Sequence, residues 1–207
     1  MPCLPNADFA RTEELNAERQ THWQVQRRRL LDSAFYQRHH PGAPVNIPQT
    51  IDEIRHSPFT DKSQLRNDQA QYPPFGSYLA TSQDSVSRLH RTSGTTGHAM
   101  NLALSKNDAE MQAQVAGRAQ SAAGLGPGDV VVHCLNYQLW MGGLTDHLGL
   151  ESTGALVVPF GTGGTDLLIR TILEVGVNAI SCTPSYPARL AQVLAERFPD
   201  RSPRSLG

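Results

Sequence analysis

Cysteine is scarce in this sequence, and neither sign of charge is in clear excess. Only three of the 207 residues are cysteines, at Cys3, Cys134 and Cys182, and the formal net charge at pH 7 is −1. An odd number of cysteines without a Cys-x-x-Cys pair indicates free thiols in a reducing compartment, not a disulfide framework or a zinc knuckle. The near-zero charge offers no electrostatic attraction to a nucleic-acid backbone or an anionic membrane, so we expect neither as a partner.

Long apolar runs are also missing. No segment reaches the ~18 consecutive apolar residues of a membrane span, and the first residues, MPCLPNADFARTEE, become acidic before any apolar stretch appears. We therefore expect no signal peptide and a soluble, cytoplasmic protein. The length of 207 residues is enough for one large domain with a substantial core.

The character of the chain changes near residue 80. Residues 9–38 contain no glycine or proline and place apolar side chains near helical spacing, which predicts one or two helices. Further along, Thr60 is predicted to cap a short helix over residues 61–66. We expect residues 1–80 to form a helical segment that packs on an α/β core formed by residues 81–207.

In that second part, short apolar runs alternate with segments of helical pattern. Runs of β-branched residues without polar alternation indicate strands buried on both faces. Ser105 and Asp108 have the spacing of a capping box at the start of a helix. The pattern predicts an α/β fold with a parallel sheet and flanking helices, with strands at 101–104, 130–132, 155–158 and 179–182 and helices at 105–123, 165–176 and 187–198.

A loop rich in glycine and hydroxyl groups lies between two predicted strands, in the segment RLHRTSGTTGHAM at 88–100. Gly94 and Gly97 would let backbone N–H groups converge on an anion, and the hydroxyls add donors, which suits a phosphate group. Glycine and threonine are also common in hairpin turns, so the residues alone leave both interpretations open. The loop is not a Walker A motif, because an extended segment follows it and no lysine occupies the required position.

The same loop resembles the phosphate loop of the adenylate-forming enzymes, whose usual form is S-S/T-G-T-T-G-K-P. Five further stretches resemble the phenylacetate-CoA ligase branch of that superfamily and occur in the family's order. They are SAFYQRHH at 33–40, SPFTDKSQLRND at 57–68, AAGLGPGDVV at 122–131, MGGLTDHLGLESTGALVVPF at 141–160 and TPSYPARLA at 183–191. The resemblance covers the N-terminal half of the family's length.

This resemblance implies both a fold and a reaction. The fold is the N-terminal part of the large domain of an adenylate-forming enzyme, preceded by a helical segment. In the reaction, a carboxylate attacks the α-phosphate of ATP to give an acyl-adenylate and pyrophosphate, and the thiol of coenzyme A then displaces AMP. Mg²⁺ assists by neutralising phosphate charge. The typical substrates are small aromatic carboxylic acids such as phenylacetate.

The family's loop grips the phosphates of ATP, and the resemblance carries that role to a matching run of seven residues. They are Thr92, Ser93, Gly94, Thr95, Thr96, Gly97 and His98. His98 stands where the family has a lysine, and an imidazole with an ordinary pKa of about 6.5 is mostly neutral at pH 7. We therefore expect a weaker phosphate contact at that position. Ala99 replaces the usual proline.

A second candidate site follows the strand at 130–132. In the family the matching segment borders the acyl pocket, which makes Tyr137 and Trp140 candidate pocket walls, with Gly142 and Gly143 leaving room for the substrate. The carboxyl end of a parallel strand is also where open α/β sheets bind ligands. The alternative is that both aromatic side chains simply pack in the core.

No metal site and no catalytic side chain are predicted. His147 and Glu151 lie four residues apart on one helix face, near His133 and Cys134 in sequence, but no second pair of ligands completes a zinc set. We expect a His–Glu contact that supports the helix. Cys182 has no identifiable base in its segment and is not expected to act as a nucleophile.

Several later motifs of the family have no counterpart in this sequence, including those that contact adenine, the ribose and the mobile C-terminal lid domain. We therefore expect a truncated part of an acyl- or aryl-CoA ligase that is inactive alone. A separate chain could supply the remainder, or the chain could form a homodimer. The alternatives are a non-catalytic module that binds a small acid or a partner chain through its open sheet edge, and an adenylating enzyme that loads a carrier protein.

Overall fold

Helices dominate the first part of the chain, as predicted. The computed structural model describes residues 10–40, 47–94 and 99–198, and the chain forms two compact units, one ending at Asp84 and the other beginning at Ser85. The first unit contains α1 (Thr12–Asp32), α2 (Ala34–His39), a 3₁₀ helix at Ile51–His56 and α3 (Lys62–Gln71). Within the described ranges, no helix combines the length and apolarity needed to cross a membrane. The expected packing of this unit on the α/β core stays a prediction.

The start of α3 differs from the prediction. Asp61, not Thr60, is the N-cap, and the helix extends to Gln71. The Asp61 carboxylate accepts the N–H of Gln64 at 2.9 Å, and the Gln64 side chain accepts the N–H of Asp61 at 2.9 Å. This reciprocal pair satisfies two otherwise free backbone donors. A cap at Thr60 would place Ser63 at the third helical position, where its short side chain is not the glutamate or glutamine of a capping box.

A buried carboxylate connects the helices of the first unit to the segment that follows them. Asp68 on α3 is only 3% exposed. Its side chain accepts the N–H of Ser77 at 2.6 Å, the hydroxyl of Ser77 at 2.6 Å and the guanidinium of Arg38 at 2.9 Å. Burial alone would raise the pKa of Asp68, but these hydrogen bonds outweigh burial and hold it below its ordinary value.

The second unit begins with a β-hairpin, followed by alternating helices and strands. Strands β1 (Val86–Arg91) and β2 (Asn101–Ser105) pair antiparallel, with Arg91 opposite Asn101. The predicted capping box forms at the start of the next helix, where the N–H of Asp108 donates to the Ser105 hydroxyl at 3.2 Å. The remaining elements are α4 (Lys106–Ala122), β3 (Val130–His133), α5 (Met141–Ser152), β4 (Leu156–Val158), α6 (Thr165–Val175), β5 (Ala179–Ser181) and α7 (Tyr186–Arg197).

The predicted parallel sheet is present, with three strands in the order β4-β3-β5. The central strand β3 is buried on both faces: Val132 packs in a cluster with apolar residues of α6 and α7, whereas Val131 packs with Leu150 of α5. The outer strand β4 departs from the expectation of two buried faces, because Leu156 is 55% exposed. The fold is therefore α/β, and the carboxyl end of β3 leads into the segment before α5.

Helices α4 and α5 cross at very short distance, which small residues allow. A Cβ added at Gly149 would lie 2.4 Å from Cβ of Ala116, and one added at Gly117 would lie 1.8 Å from the hydroxyl oxygen of Ser152. That hydroxyl donates to the carbonyls of Gly149 at 2.8 Å and Ala113 at 3.2 Å. The crossing holds α5, and with it the segment that precedes α5, against the helix that follows the hairpin.

Candidate functional site

Hairpin residues on both sides of positions 95–98 and residues of the segment after β3 line one open cleft of about 470 Å³. The described lining residues on the hairpin are Arg91, Thr92, Ser93 and Ala99. Those on the segment between β3 and α5 are Asn136, Gln138, Leu139 and Trp140. The structure thus brings together residues of the two segments that sequence analysis selected separately.

Backbone hydrogen bonds build the hairpin wall of the cleft. The N–H of Thr92 donates to the carbonyl of Met100 at 3.0 Å, and the N–H of Met100 donates to the Thr92 hydroxyl at 3.0 Å. The Thr92 side chain therefore helps to close the hairpin. Gly94 has a φ of 67°, a conformation that glycine adopts without strain. The predicted phosphate-loop residues Thr95, Thr96, Gly97 and His98 lie outside the described residues.

The opposite wall is a tight turn with a strained residue. Leu139 has a φ of 55°, in the left-handed region that costs a residue with a Cβ about 1–2 kcal/mol. Its carbonyl accepts the N–H of Arg91 at 2.8 Å, which ties the two walls together. The N–H of Gln138 donates to the Asn136 side chain at 2.9 Å, and this bond closes the turn on itself. Neither Arg91 nor Leu139 was a candidate from the sequence.

We expect the Leu139→Gly substitution to raise the free energy of unfolding by about 0.5–1 kcal/mol, because the relief of strain exceeds the added entropy of the unfolded chain. Leu139 is 54% exposed, so little packing is lost. Leu167 on α6 is 61% exposed and provides the matched control, since Leu167→Gly should cost about 1 kcal/mol in a helix. Urea denaturation of both variants measures the difference, and equal losses would show that position 139 is not strained.

The two aromatic candidates have different surroundings. Trp140 is 45% exposed and lines the cleft. Tyr137 instead packs edge-on against the ring of His133, with 5.5 Å between ring centroids, and its hydroxyl hydrogen-bonds Nδ1 of His147 at 3.0 Å. Burial raises the pKa of Tyr137 to about 12, so the phenol is neutral at pH 7. Contact of either ring with an acyl group stays a prediction.

The Tyr137 hydroxyl is the first member of a hydrogen-bonded chain. Nε2 of His147 lies 3.1 Å from the Glu151 carboxylate, which can only accept, so this nitrogen carries the proton. Nδ1 is then the acceptor for the Tyr137 hydroxyl. This is the His–Glu contact expected from the sequence. Among the residues in the described ranges, no group of three or more His, Cys, Asp or Glu is arranged to hold a metal ion.

His133 connects the start of α5 to the sheet through two side-chain hydrogen bonds. The side chain is fully buried; its Nε2 hydrogen-bonds the carbonyl of Gly143 at 2.9 Å, and its Nδ1 hydrogen-bonds the hydroxyl of Ser181 at 3.0 Å. Because a carbonyl only accepts, Nε2 is the donor and Ser181 donates to Nδ1. Burial lowers the pKa of His133, which keeps the ring neutral.

Gly142 and Gly143, the two glycines expected to leave room for a substrate, are packed closely against other atoms of the protein. A Cβ on Gly143 would lie 2.1 Å from the carbonyl oxygen of Asn136, and one on Gly142 would lie 2.9 Å from the Trp140 ring. Neither glycine lines the cleft. The absence of side chains lets the start of α5 approach the turn, and the expectation that these glycines leave room for a substrate stays a prediction.

The thiols and the charges of the cleft restrict its chemistry. Burial raises the pKa of Cys134 to about 12 and also raises that of Cys182, so neither thiol is an activated nucleophile. Among the described residues that line the cleft, Arg91 alone carries a permanently charged side chain. The cleft therefore offers hydroxyl, amide and guanidinium groups for binding, with no acidic side chain on its described walls.

Comparison with known proteins identifies relatives along most of the chain. No protein-family model matches it. The chain is 38% identical over 181 residues to a phenylacetate-coenzyme A ligase of Thermus thermophilus, an alignment that covers 86% of this chain and 37% of the relative. It is 36% identical over 150 residues to the enzyme of the same name from Pseudomonas putida, covering 72% of this chain and 33% of the relative.

Solved structures match nearly the full chain. The open conformation of a 2-hydroxyisobutyryl-CoA ligase, in complex with 2-HIB-AMP and CoA, superposes with a TM-score of 0.83 at 25% identity, over 99% of this chain and 50% of that chain. The thioesterification state of that ligase gives a TM-score of 0.76 at 26% identity. The present chain spans about a third of the length of the curated relatives that it matches. By sequence and fold, it belongs to the phenylacetate-CoA ligase family of adenylate-forming enzymes.

Proposed function

We propose that this chain is part of a ligase that activates a small aromatic carboxylic acid with ATP and transfers the acyl group to coenzyme A. The names of the sequence relatives support the acid, and the 2-HIB-AMP and CoA bound to the structural neighbour support the two steps. In the first step a carboxylate oxygen bonds to the α-phosphorus as the bond to the β-phosphate oxygen breaks and pyrophosphate leaves. In the second, the thiol sulfur bonds to the acyl carbon and AMP leaves.

The observation that carries this proposal is the shared cleft. Thr92 and Ser93 on one wall supply hydroxyl groups, and Trp140 on the other supplies an aromatic surface. Donors suit phosphate oxygens, and an aromatic face suits an aryl group or a base. The protein's role in such a site is to position the reactants and to stabilise developing negative charge. Burial raises the pKa of Cys134 and of Cys182, which disfavours either thiol as the site of an acyl-enzyme.

Mg²⁺ finds no protein ligand set in the described part of this site. This ion usually binds one or two carboxylates together with substrate phosphates, and none of the lining residues that the structure describes is acidic. We therefore derive no step through Mg²⁺ from these residues. A carrier-protein acceptor, a partner chain and a homodimer remain expectations from the sequence.

We expect this chain to bind ATP weakly in the presence of Mg²⁺ and to release no pyrophosphate with aromatic acids. The Ser93→Ala substitution should weaken ATP binding about fivefold, since one neutral hydrogen bond contributes about 1 kcal/mol. Isothermal titration calorimetry measures the affinity, and a coupled assay measures pyrophosphate. Ser121 on α4 is exposed and lies outside the cleft, so Ser121→Ala is the matched control.

Three results would change this conclusion. Equal affinity of the Ser93→Ala variant and the wild-type chain would remove Ser93 from the site. No ATP binding at all would refute the proposed function. Sustained pyrophosphate release would show that the chain is catalytically sufficient, against the expectation that it is inactive alone.

A further inference from the structure

Arg91 provides a positive charge on the cleft wall that has no protein partner among the residues described by the structure. Its side chain is exposed and lines the cleft beside Thr92 and Ser93. Across residues 10–40, 47–94 and 99–198, the guanidinium makes no ion pair and no side-chain hydrogen bond. Arg197 and Arg38, by contrast, each pair with an aspartate. An arginine at a concave site, whose guanidinium donors are not taken up by other described residues, is suited to an anion.

The backbone of Arg91 is fixed at this position. Its N–H donates to the carbonyl of Leu139 at 2.8 Å, and the residue pairs with Asn101 across the hairpin. The base of the side chain is therefore held at the junction of the two cleft walls, and only the flexible side chain has to be ordered on binding. Such preorganisation reduces the entropy lost when a ligand binds.

The sequence leaves Arg91 as the sole permanent cation of its segment. Residues 92–105 contain no lysine or arginine, so their only basic side chain is that of His98. Donors from hydroxyl and backbone groups can orient an anion, but they do not neutralise several negative charges. Arg91 supplies a permanent positive charge that these donors lack, which suits a ligand with more than one negative charge.

We propose that Arg91 is the permanent cation that binds the polyphosphate of the nucleotide in this cleft. This inference rests on the proposed function and adds to it a residue that sequence analysis did not select. The planar guanidinium can donate two parallel hydrogen bonds to one phosphate group, as a point-like ammonium cannot. The carboxylate of an acid substrate presents similar oxygen geometry, but the hydroxyls of Thr92 and Ser93 beside Arg91 favour a group with more oxygens.

The test uses calorimetric titration of the 207-residue chain with inorganic tripolyphosphate, ATP and phenylacetate. Arg91→Gln should weaken tripolyphosphate and ATP binding about tenfold, within the range of a charge-assisted hydrogen bond discounted for solvent exposure. Arg91→Lys should restore most of the affinity for tripolyphosphate because the charge is kept. Arg170, an exposed arginine on α6, gives the matched control Arg170→Gln, which should bind as the wild-type chain does.

Salt separates a direct contact from an altered fold. Between 50 and 300 mM NaCl, the affinity of the wild-type chain for tripolyphosphate and ATP should fall more steeply than that of Arg91→Gln. Salt screens the attraction between Arg91 and the phosphates, and the variant no longer has that attraction. Circular dichroism checks that each variant is folded.

The outcomes distinguish this inference from the proposed function. Unchanged binding by Arg91→Gln, in a chain that binds ATP, would overturn the role of Arg91 and leave the ligase proposal standing. Tripolyphosphate binding that depends on Arg91, without ATP binding, would support the anion site and refute the nucleotide. An effect of Arg91→Gln on phenylacetate alone would assign the cation to the acid and overturn the inference. No binding of any of the three would refute both.

Discussion

The Asp68→Ala variant is expected to lose about 2–4 kcal/mol of stability in the first unit. The substitution removes an acceptor that is 3% exposed and leaves the N–H and hydroxyl of Ser77 and the guanidinium of Arg38 without it. Removing the shared acceptor costs more free energy than the lost hydrogen bonds contribute, because the remaining buried donors are not rehydrated. Arg38 is 40% exposed at its side chain and can recover water, which limits the loss.

The pH dependence of this effect has a defined sign. The pKa of Asp68 is lower in the folded chain than the ordinary value of about 3.9. Its stabilisation is therefore fully present above the unfolded pKa and is lost as the pH falls through the folded pKa. The difference in unfolding free energy between wild type and Asp68→Ala should shrink as the pH falls below about 4.

Urea denaturation followed by circular dichroism, at pH 7 and in steps down to pH 3, measures both effects. Asp32, exposed at the end of α1, provides the control, and Asp32→Ala should change stability by less than about 0.5 kcal/mol. A difference between Asp68→Ala and wild type that is independent of pH would contradict a role for the ionised carboxylate.

The Gly143→Ala variant is expected to disrupt the cleft as well as the fold. The added Cβ would lie 2.1 Å from the carbonyl oxygen and 2.7 Å from the carbonyl carbon of Asn136, and 2.8 Å from Cα of Tyr137. All three are backbone atoms, which cannot rotate away, so the turn and the start of α5 must separate. We expect a loss of about 2–3 kcal/mol, as for other overpacked positions, together with the loss of ATP binding.

Gly143→Ala is expected to weaken ATP binding because the turn that it displaces forms one wall of the cleft. Trp140 and Leu139 line it, and the Leu139 carbonyl holds the N–H of Arg91. Gly126 gives the control, because a Cβ there would meet no atom within 4 Å. Thermal unfolding and calorimetric titration of Gly143→Ala and Gly126→Ala measure the contrast, and similar behaviour of the two would refute the steric argument.

Local patterns in the sequence were sufficient to predict most of the second unit. The valines at 130–132 predicted a buried strand, and the helical pattern at 165–176 predicted α6, which Gly176 terminates with a φ of 75°. Each of these patterns is local, because the residues that form it are close together in the sequence. The cap of α3 failed at Thr60 because two adjacent residues could both cap, and only the reciprocal bond with Gln64 favoured Asp61.

The cleft depended on contacts between distant segments, and there the sequence was less informative. The strands on either side of the candidate loop pair as a hairpin, and the role of the loop in phosphate binding stays a prediction. The contact of the hairpin with Leu139 follows from a backbone hydrogen bond between residues 48 positions apart. The strained φ of Leu139 has no sequence signature, since leucine is rare in that conformation. The different surroundings of Tyr137 and Trp140 likewise follow from the direction of the turn, which alternation of residue type does not encode.

The close crossing of α4 and α5 has a consequence for how this chain can vary. Because Gly117 and Gly149 sit where each helix meets the other, enlargement at one position must be matched by a compensating change nearby, or the pair separates. Evolutionary drift at this crossing is therefore expected to proceed by coupled replacements, and a library randomised at only one of the two glycines should yield few folded members.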